Sequence, residues 1–302
     1  MNMKVILSIG MNSNLSTSKM TTLKIAGVPE HFNLPWHLCL ENGEFAASNL
    51  DLQWTDVPEG TGKLCQMLRS GETDIAVILT EGMVKDIVGG NPSKIVQVYV
   101  ESPLLWGIHV AANSKFKAIA DLQDAKVAIS RTGSGSHLMA YVNAEQNGWK
   151  TADLQFEIVN TIDGAVESLT AGTSDYFMWE HFMTKPLVNQ GIFRRLGDCP
   201  TPWPCFVIAV RDEVLENHAS AISDLLAIIN KKTQAFKDIP NIDVMLASRY
   251  KLEIADIRAW LSLTQWSQNQ LQKEVLNKVQ NQLLNLSLIN KKGTFAEMVK
   301  TI

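Results

Sequence analysis

Ser130-Arg131-Thr132-Gly133-Ser134-Gly135-Ser136-His137 is the stretch of this chain best equipped for chemistry. It follows a strand-like run, Lys126 to Ile129, and leads into a helical stretch that Gly148 closes. A helix that begins in a small polar loop offers unpaired backbone N–H groups and the positive end of its dipole. With Arg131 alongside, such a junction can receive a carboxylate, sulfonate, phosphate or other electron-rich group. Arg131, Ser134, Gly135, Ser136 and His137 are therefore candidate ligand-binding residues. A second junction runs from Leu52–Val57 through Glu59-Gly60-Thr61-Gly62 into a helix from Lys63 to Ser70. Its two glycines let backbone approach a ligand, which adds Glu59, Gly60, Thr61 and Gly62 to the candidates. One such junction in each half of the chain predicts a small molecule held between two lobes.

An internal echo supports two related lobes. Leu68-Arg69-Ser70-Gly71-Glu72-Thr73-Asp74-Ile75 and Leu169-Thr170-Ala171-Gly172-Thr173-Ser174-Asp175-Tyr176 share the pattern L-x-x-G-x-x-D-apolar. In each, a helix ends on glycine, the chain turns, and an aspartate opens a core strand. The strands then deliver acidic groups at their carboxyl ends, Thr80-Glu81 in the first and Trp179-Glu180-His181 in the second. In open α/β sheets ligands lie beyond those ends, so Thr80, Glu81, Trp179, Glu180 and His181 join the candidates. Thr80 could instead cap a helix, and Arg131 could pair with Glu180. Trp203, between Pro202 and Pro204, reads as a stacking lid for a flat ligand or as a packed loop anchor. The tripeptide Glu-His-Phe occurs twice, at Glu30-His31-Phe32 and Glu180-His181-Phe182. Two His and two Glu meeting across a cleft could hold zinc or iron. No H-x-x-x-H or H-E-x-x-H spacing accompanies them, so no metal and no cofactor is assigned.

The elements needed to position these groups are legible. The chain has 302 residues, a length suited to two cores with a cleft between them. Strand-like runs at 23–28, 50–57, 74–79, 94–100, 106–112, 126–130, 154–160, 175–179, 192–197 and 205–211 alternate with helices that end at Gly43, Gly71, Gly148, Gly172 and Gly191. This predicts an α/β architecture of mostly parallel sheets with flanking helices. After residue 212 the period changes to apolar residues three and four apart over Val214–Lys237, Ile242–Arg249, Ile254–Leu263 and Leu271–Leu284. These stretches read as a helical C-terminal layer over the first lobe.

Lys plus Arg is 27 and Asp plus Glu 31, a net charge of −4 with no basic run, which argues against nucleic-acid partners. No segment approaches the ~20 apolar residues of a membrane span. Val5–Met11 is a short apolar run without a convincing cleavage site or lipid-accepting cysteine, so residues 1–19 read as a disordered leader. The compartment read from this is cytoplasmic, with periplasmic as the alternative. Cys39, Cys65, Cys199 and Cys205 read as free thiols, with a Cys199–Cys205 disulfide as the alternative in an oxidising compartment.

Several segments together carry a family likeness: the opening strand with Gly27 before a helix, Asn42-Gly43-Glu44-Phe45, Leu68–Asp74, Ile119–Ala128 and Leu169–Asp175. The chain resembles the type II periplasmic-binding-protein-like family, in the branch serving nitrate, alkylsulfonate, taurine and thiamine-precursor uptake. Within that branch it is similar to a subgroup of fungal and bacterial chains lacking an obvious export signal. The resemblance implies two lobes, 20–108 plus 210–302 and 109–209, joined by crossings near Gly107–Ala112 and Phe206–Val210 and closing by a hinge. It implies a solute-binding-protein-like function with an anionic or flat heterocyclic metabolite as ligand, and an ABC-type permease as partner if the chain is exported. It places His31, Phe32, Asn33 and Trp36 on one wall of the cleft, although Trp36 could equally be core. It also puts a ligand-contacting acid at Trp179-Glu180-His181. The alternative is a cytoplasmic enzyme on the same scaffold in thiamine-pyrimidine or menaquinone precursor biosynthesis, with His31, His137 or His181 as the reacting group. The C-C-C-F-C stretch of the fungal pyrimidine-precursor synthases is missing here.

Overall fold

The computed structural model describes residues 20–302, and the leader expected over 1–19 lies outside the described residues. The chain runs β1 (Thr21–Gly27), α1 (Leu34–Glu41), β2 (Leu50–Asp56), α2 (Thr61–Ser70), β3 (Ile75–Leu79), α3 (Thr80–Val88) and β4 (Ser93–Val100). It continues through β5 (Leu105–Ala111), β6 (Lys126–Ile129), α4 (Gly135–Gln146), β7 (Gln155–Ile158), α5 (Ile162–Ala171), β8 (Tyr176–Glu180), α6 (Lys185–Asn189) and β9 (Phe193–Pro200). β10 (Phe206–Arg211) then leads to α7 (Asp212–Asn217), α8 (Ala219–Ala235), α9 (Ile242–Tyr250), α10 (Ile254–Leu263), α11 (Lys273–Asn285) and α12 (Phe295–Met298). All ten expected strands form.

The strands make two five-stranded sheets, ordered β2-β1-β3-β10-β4 and β7-β6-β8-β5-β9. Each sheet is mixed rather than mostly parallel. β1 pairs in parallel with β2 and β3, and β6 with β7 and β8, but β10 and β5 run antiparallel to both their neighbours. The reversal arises because each sheet takes one strand from the chain's return between lobes, and a returning strand enters from the opposite end. β3 (Ile75–Leu79) is apolar and buried on both faces, as a central strand covered by helices must be.

The echoed aspartates have matching structural roles. Asp74 Oδ2 accepts from Lys24 N at 2.8 Å, and Asp175 Oδ2 accepts from Lys126 N at 2.8 Å. Each clamps the turn after a helix to the neighbouring parallel strand, β1 at its middle and β6 at its start. That helix ends on Gly71 at φ +75° in one copy and Gly172 at φ +71° in the other, a conformation glycine adopts without Cβ strain.

The crossings fall earlier than expected. Trp106 pairs with Glu180 and Cys199 in the second sheet, and Phe206 with Leu79 and Val100 in the first. Residues 105–108 and 206–209 therefore each pair in the sheet opposite to the lobe expected for them, and the connections are 101–104 and 201–205. The tail covers the first lobe: α8 packs on α1, α11 on α3 and α12 beside β4. It also touches the second lobe, where Gln282 of α11 donates to Glu145 of α4. Among the described residues no helix is long and apolar enough to cross a membrane.

Candidate functional site

The carboxyl ends of β3 and β8 and the starts of α2, α3 and α4 converge on a cleft between the sheets. The cleft has two chambers, of about 240 Å³ and about 90 Å³, that share Thr61, Leu79, Arg131, Ser134 and Gly135. The two junctions singled out in the sequence therefore meet, although they come from different places in the repeat: α4 follows β6 as α1 follows β1, whereas α2 follows β2.

Each junction leaves amide donors free. Gly60, at φ +76°, precedes α2 without any side-chain cap, and its carbonyl accepts from Lys63 N and Leu64 N. The N–H groups of Thr61 and Gly62 then have no acceptor within the helix. At α4, Ser134 Oγ accepts from His137 N at 3.3 Å, so the N–H groups of Gly135 and Ser136 remain. The loop before α4 is held by its own side chains: Ser136 Oγ accepts from Ser130 N at 2.9 Å, and His137 Nδ1 accepts from Gly133 N at 3.1 Å. His137 packs edge-on against Phe156 and Tyr141, so it shapes the loop and is not among the lining groups.

Arg131 lies across Gly62 from the opposite lobe, in the space a Cβ would take. The expected alternative, a pair with Glu180, does not form, and among the described residues Arg131 has no ion-pair partner. The larger chamber adds Lys85, whose Nζ donates to Gly133 O at 3.2 Å across the lobes, and the Arg69–Asp86 ion pair. The smaller chamber is walled by Val28, Leu104, Trp106, Trp179 and Phe206 and carries Glu30, Glu59 and Glu180.

Glu59, Gly60, Thr61, Gly62, Glu81, Arg131, Ser134, Gly135, Ser136, Trp179 and Glu180 all line the cleft. Burial pushes the Glu81 carboxyl up to about 7, opposed by its own backbone N–H and by Trp203. Burial also raises Glu30 to about 7 and Glu180 to about 8, and the Glu30 charge adds to the rise at Glu180.

The wall expected from His31, Phe32, Asn33 and Trp36 does not reach the cleft. His31 is fully buried against Trp260 (4.2 Å between ring centres), Phe32 and Tyr250, with neither ring nitrogen hydrogen-bonded among the described residues. Phe32 packs on Phe206 and Trp260, and Asn33 Nδ2 donates to Val28 O at 2.8 Å. Trp36 is core, stacked with Phe45 beside Trp54 and Tyr99. Thr80 Oγ1 donates to Pro204 O at 2.6 Å, neither lining the cleft nor capping α3. Trp203 is the packed anchor rather than a lid, buried with its indole N–H on Glu81. His181 accompanies Asp198 at 2.7 Å and Arg195 on the far side of β8. The Glu30–His31–Glu180–His181 quartet consequently does not assemble, because His31 is packed among aromatic rings and His181 is held by Asp198 and Arg195. Cys199 and Cys205 are unbonded and buried, with Cys199 Sγ directed to Gln146 and Cys205 Sγ to the Val100 carbonyl.

Sequence reasoning missed Lys85 as a lining residue, and of the apolar wall it named Trp179 but not Val28, Leu104, Trp106 or Phe206. Lys85 could have been found, since it sits one helical turn beyond Glu81 on the same face. Leu283 and Leu288 close the larger chamber from the C-terminal region, and nothing local to them signals it.

The Ca3427-like PBP family matches residues 106–199. A Candida albicans CA3427 gene product structure, described as exhibiting the generic periplasmic binding protein fold, superposes with a TM-score of 0.85 at 26% identity, covering 93% of this chain and 96% of that one. The periplasmic aliphatic sulphonate binding protein SsuA of Escherichia coli gives a TM-score of 0.72 at 20% identity, over 93% and 92% of the two chains. The alkanesulfonate-binding protein SsuA of Xanthomonas axonopodis pv. citri, bound to MOPS, gives 0.79 at 16%, over 93% and 99%. No curated protein matches the sequence.

Proposed function

We propose that this chain, which has the type II periplasmic-binding-protein-like fold, binds one small organic anion between its lobes and closes on it by bending at 101–104 and 201–205. Arg131 carries the reading. Among the described residues it is an unpaired guanidinium, beside two helix starts that come from opposite lobes. A carboxylate, sulfonate or phosphate there would meet the amides of Thr61, Gly62, Gly135 and Ser136 together with the guanidinium. An anion bridging donors from both lobes favours the closed arrangement, the energetic requirement for hinge closure. The adjoining chamber, with Trp106 and Trp179 edge-to-face at 6.2 Å, suits the body of the ligand, including a flat ring. Two of the similar structures are named as sulfonate-binding proteins, which makes sulfonates the first anions to try. If the chain is exported, an ABC-type permease is its partner.

The enzyme alternative loses its stated groups, since His31, His137 and His181 do not line the cleft. The test is calorimetric titration of nitrate, butane-1-sulfonate, butanoate and butyl phosphate into the wild type and Arg131→Ala. At least one organic anion should bind, and the substitution should weaken it ten-fold or more. Equal affinity in the two proteins would overturn the reading.

A further inference from the structure

We propose that the larger chamber seats a second anionic group of the same ligand, directly beyond the first, so that the ligand ends in two neighbouring anionic groups, as an organic diphosphate does. This rests on the anion reading above and specifies the class of anion that the cleft takes.

Cations from both lobes line this chamber of about 240 Å³: Arg69 and Lys85 from the first lobe and Arg131 from the second. Two acids, Asp86 and Glu81, line it with them. Asp86 is occupied by the Arg69 guanidinium and by Asn91 Nδ2 at 2.6 Å. Glu81 gives one oxygen to the Trp203 indole, and burial raises the carboxyl to about 7, so much of it is uncharged at neutral pH. Among the described residues neither Lys85 nor Arg131 has an ion-pair partner. Lys85 Nζ donates instead to the Gly133 carbonyl at 3.2 Å, a neutral acceptor. Like charges lining one enclosed space raise its potential and draw in an anion.

The position of Lys85 sets the spacing of the two anionic groups. Its Nζ stands 2.7 Å from the place a Gly133 Cβ would take, two residues along the loop from Arg131. Arg131 itself fills the Cβ space of Gly62, where the chambers join at Thr61, Arg131, Ser134 and Gly135. A first anionic group at the helix starts therefore has Lys85 on its larger-chamber side. On its other side the smaller chamber offers Trp106, Trp179 and Phe206 together with Glu30, Glu59 and Glu180, which disfavour a second anion. Charge is thus directed into one chamber and the body of the ligand into the other. The Lys85 charge also reaches its surroundings: burial lowers the His137 imidazole, and Lys85 lowers it further.

The experiment titrates butyl phosphate, butyl diphosphate and 4-(phosphonooxy)butanoate into the full chain by calorimetry at pH 7.5, with a chelator present. Butyl diphosphate should bind at least ten-fold more tightly than butyl phosphate. Phosphonooxybutanoate, whose second anionic group lies at the far end, should bind no more tightly than butyl phosphate. In Lys85→Ala the two butyl esters should bind alike, through a loss at the diphosphate alone, and Lys85→Arg should keep most of the difference. An equal loss for both esters would assign Lys85 to lobe closure and overturn the proposal. The wild-type ratios decide the matter even if Lys85→Ala does not fold. Equal affinity for the two butyl esters, or phosphonooxybutanoate as tight as the diphosphate, would overturn it. The anion reading survives each of these outcomes if butyl phosphate binds and Arg131→Ala weakens it. If no anion binds at all, the anion reading falls and this proposal with it.

Discussion

Trp203 donates its indole N–H to Glu81 Oε2 at 2.8 Å, tying the 201–205 connection to the first turn of α3. Among the described residues Glu81 Oε1 has no partner, so the indole is the carboxyl's one side-chain donor there. Trp203→Phe should destabilise the protein by about 1–3 kcal/mol, the cost of leaving a buried polar group unsatisfied. Urea denaturation measures it. The same loss in a Glu81→Leu background would show that the indole acts by bulk and not through this bond.

Gly62 should tolerate alanine in the empty protein but not in the ligand-bound one. The added Cβ would collide with the Arg131 guanidinium, the free end of a flexible side chain that can swing away. Folding free energy without ligand, from urea denaturation, should therefore stay within about 0.5 kcal/mol of wild type, the range for a surface-like change. Affinity for the anion that binds best should fall roughly ten-fold, as expected for a lost charge-assisted contact. By contrast, Gly164→Ala would press on the Val159 carbonyl, which is backbone and cannot yield, so that variant should lose stability outright.

Stability should decline on both sides of a weakly acidic optimum. Glu30, Glu81 and Glu180 titrate at about 7, 7 and 8 in the folded chain, against an ordinary 4.5. Between those values the unfolded chain has released protons that the folded chain still holds, so stability falls as pH rises through that window and levels off above it. His31 and His109 are lowered to about 3 from an ordinary 6.5, burial being the main cause. The unfolded chain takes up those protons first, so their contribution is lost as pH falls from 6.5 towards 3. Above pH 6.5 only the carboxyl effect remains. Thermal melts from pH 6.5 to 8.5 should drop in the wild type and drop less in Glu180→Gln. Parallel profiles would refute the assignment to that carboxyl.

All four thiols should be inert in the native state. Cys39, Cys65, Cys199 and Cys205 are buried and unpaired, and burial pushes Cys39, Cys65 and Cys199 up to about 12. Since the thiolate is the reactive form, an aromatic disulfide reagent at pH 8 should titrate close to none before unfolding and four after it. Rapid reaction of Cys199 or Cys205 in the folded protein would contradict their placement.

Much of the architecture was legible because its signals are local. Asp74 and Asp175 follow glycine-capped helices by a fixed offset, and both turned out to clamp the neighbouring strand at the same atom. Gly60-Thr61-Gly62 and Ser134-Gly135-Ser136 carry their helix starts within three residues, and both line the cleft. The candidates that lie away from the cleft share a cause. His31, Trp36, His137 and Trp203 sit in polar or aromatic stretches that look exposed when read alone. Their surroundings come from distant segments: Trp260 for His31, Tyr99 for Trp36, Phe156 for His137 and Glu81 for Trp203.

Residue order by itself determined which stretches become strands and helices, where the helices stop, and that two similar halves exist. These depend on side-chain period, glycine's access to positive φ, and hydrogen bonds between near neighbours in the chain. Only the tertiary structure decided which strand runs backwards in each sheet, which acids share a chamber, and that Arg131 faces Gly62 with no carboxylate among the described residues to neutralise it. Those outcomes turn on how two separately folded lobes and a helical tail exclude water between them, and no short window of residues contains the surfaces that do so.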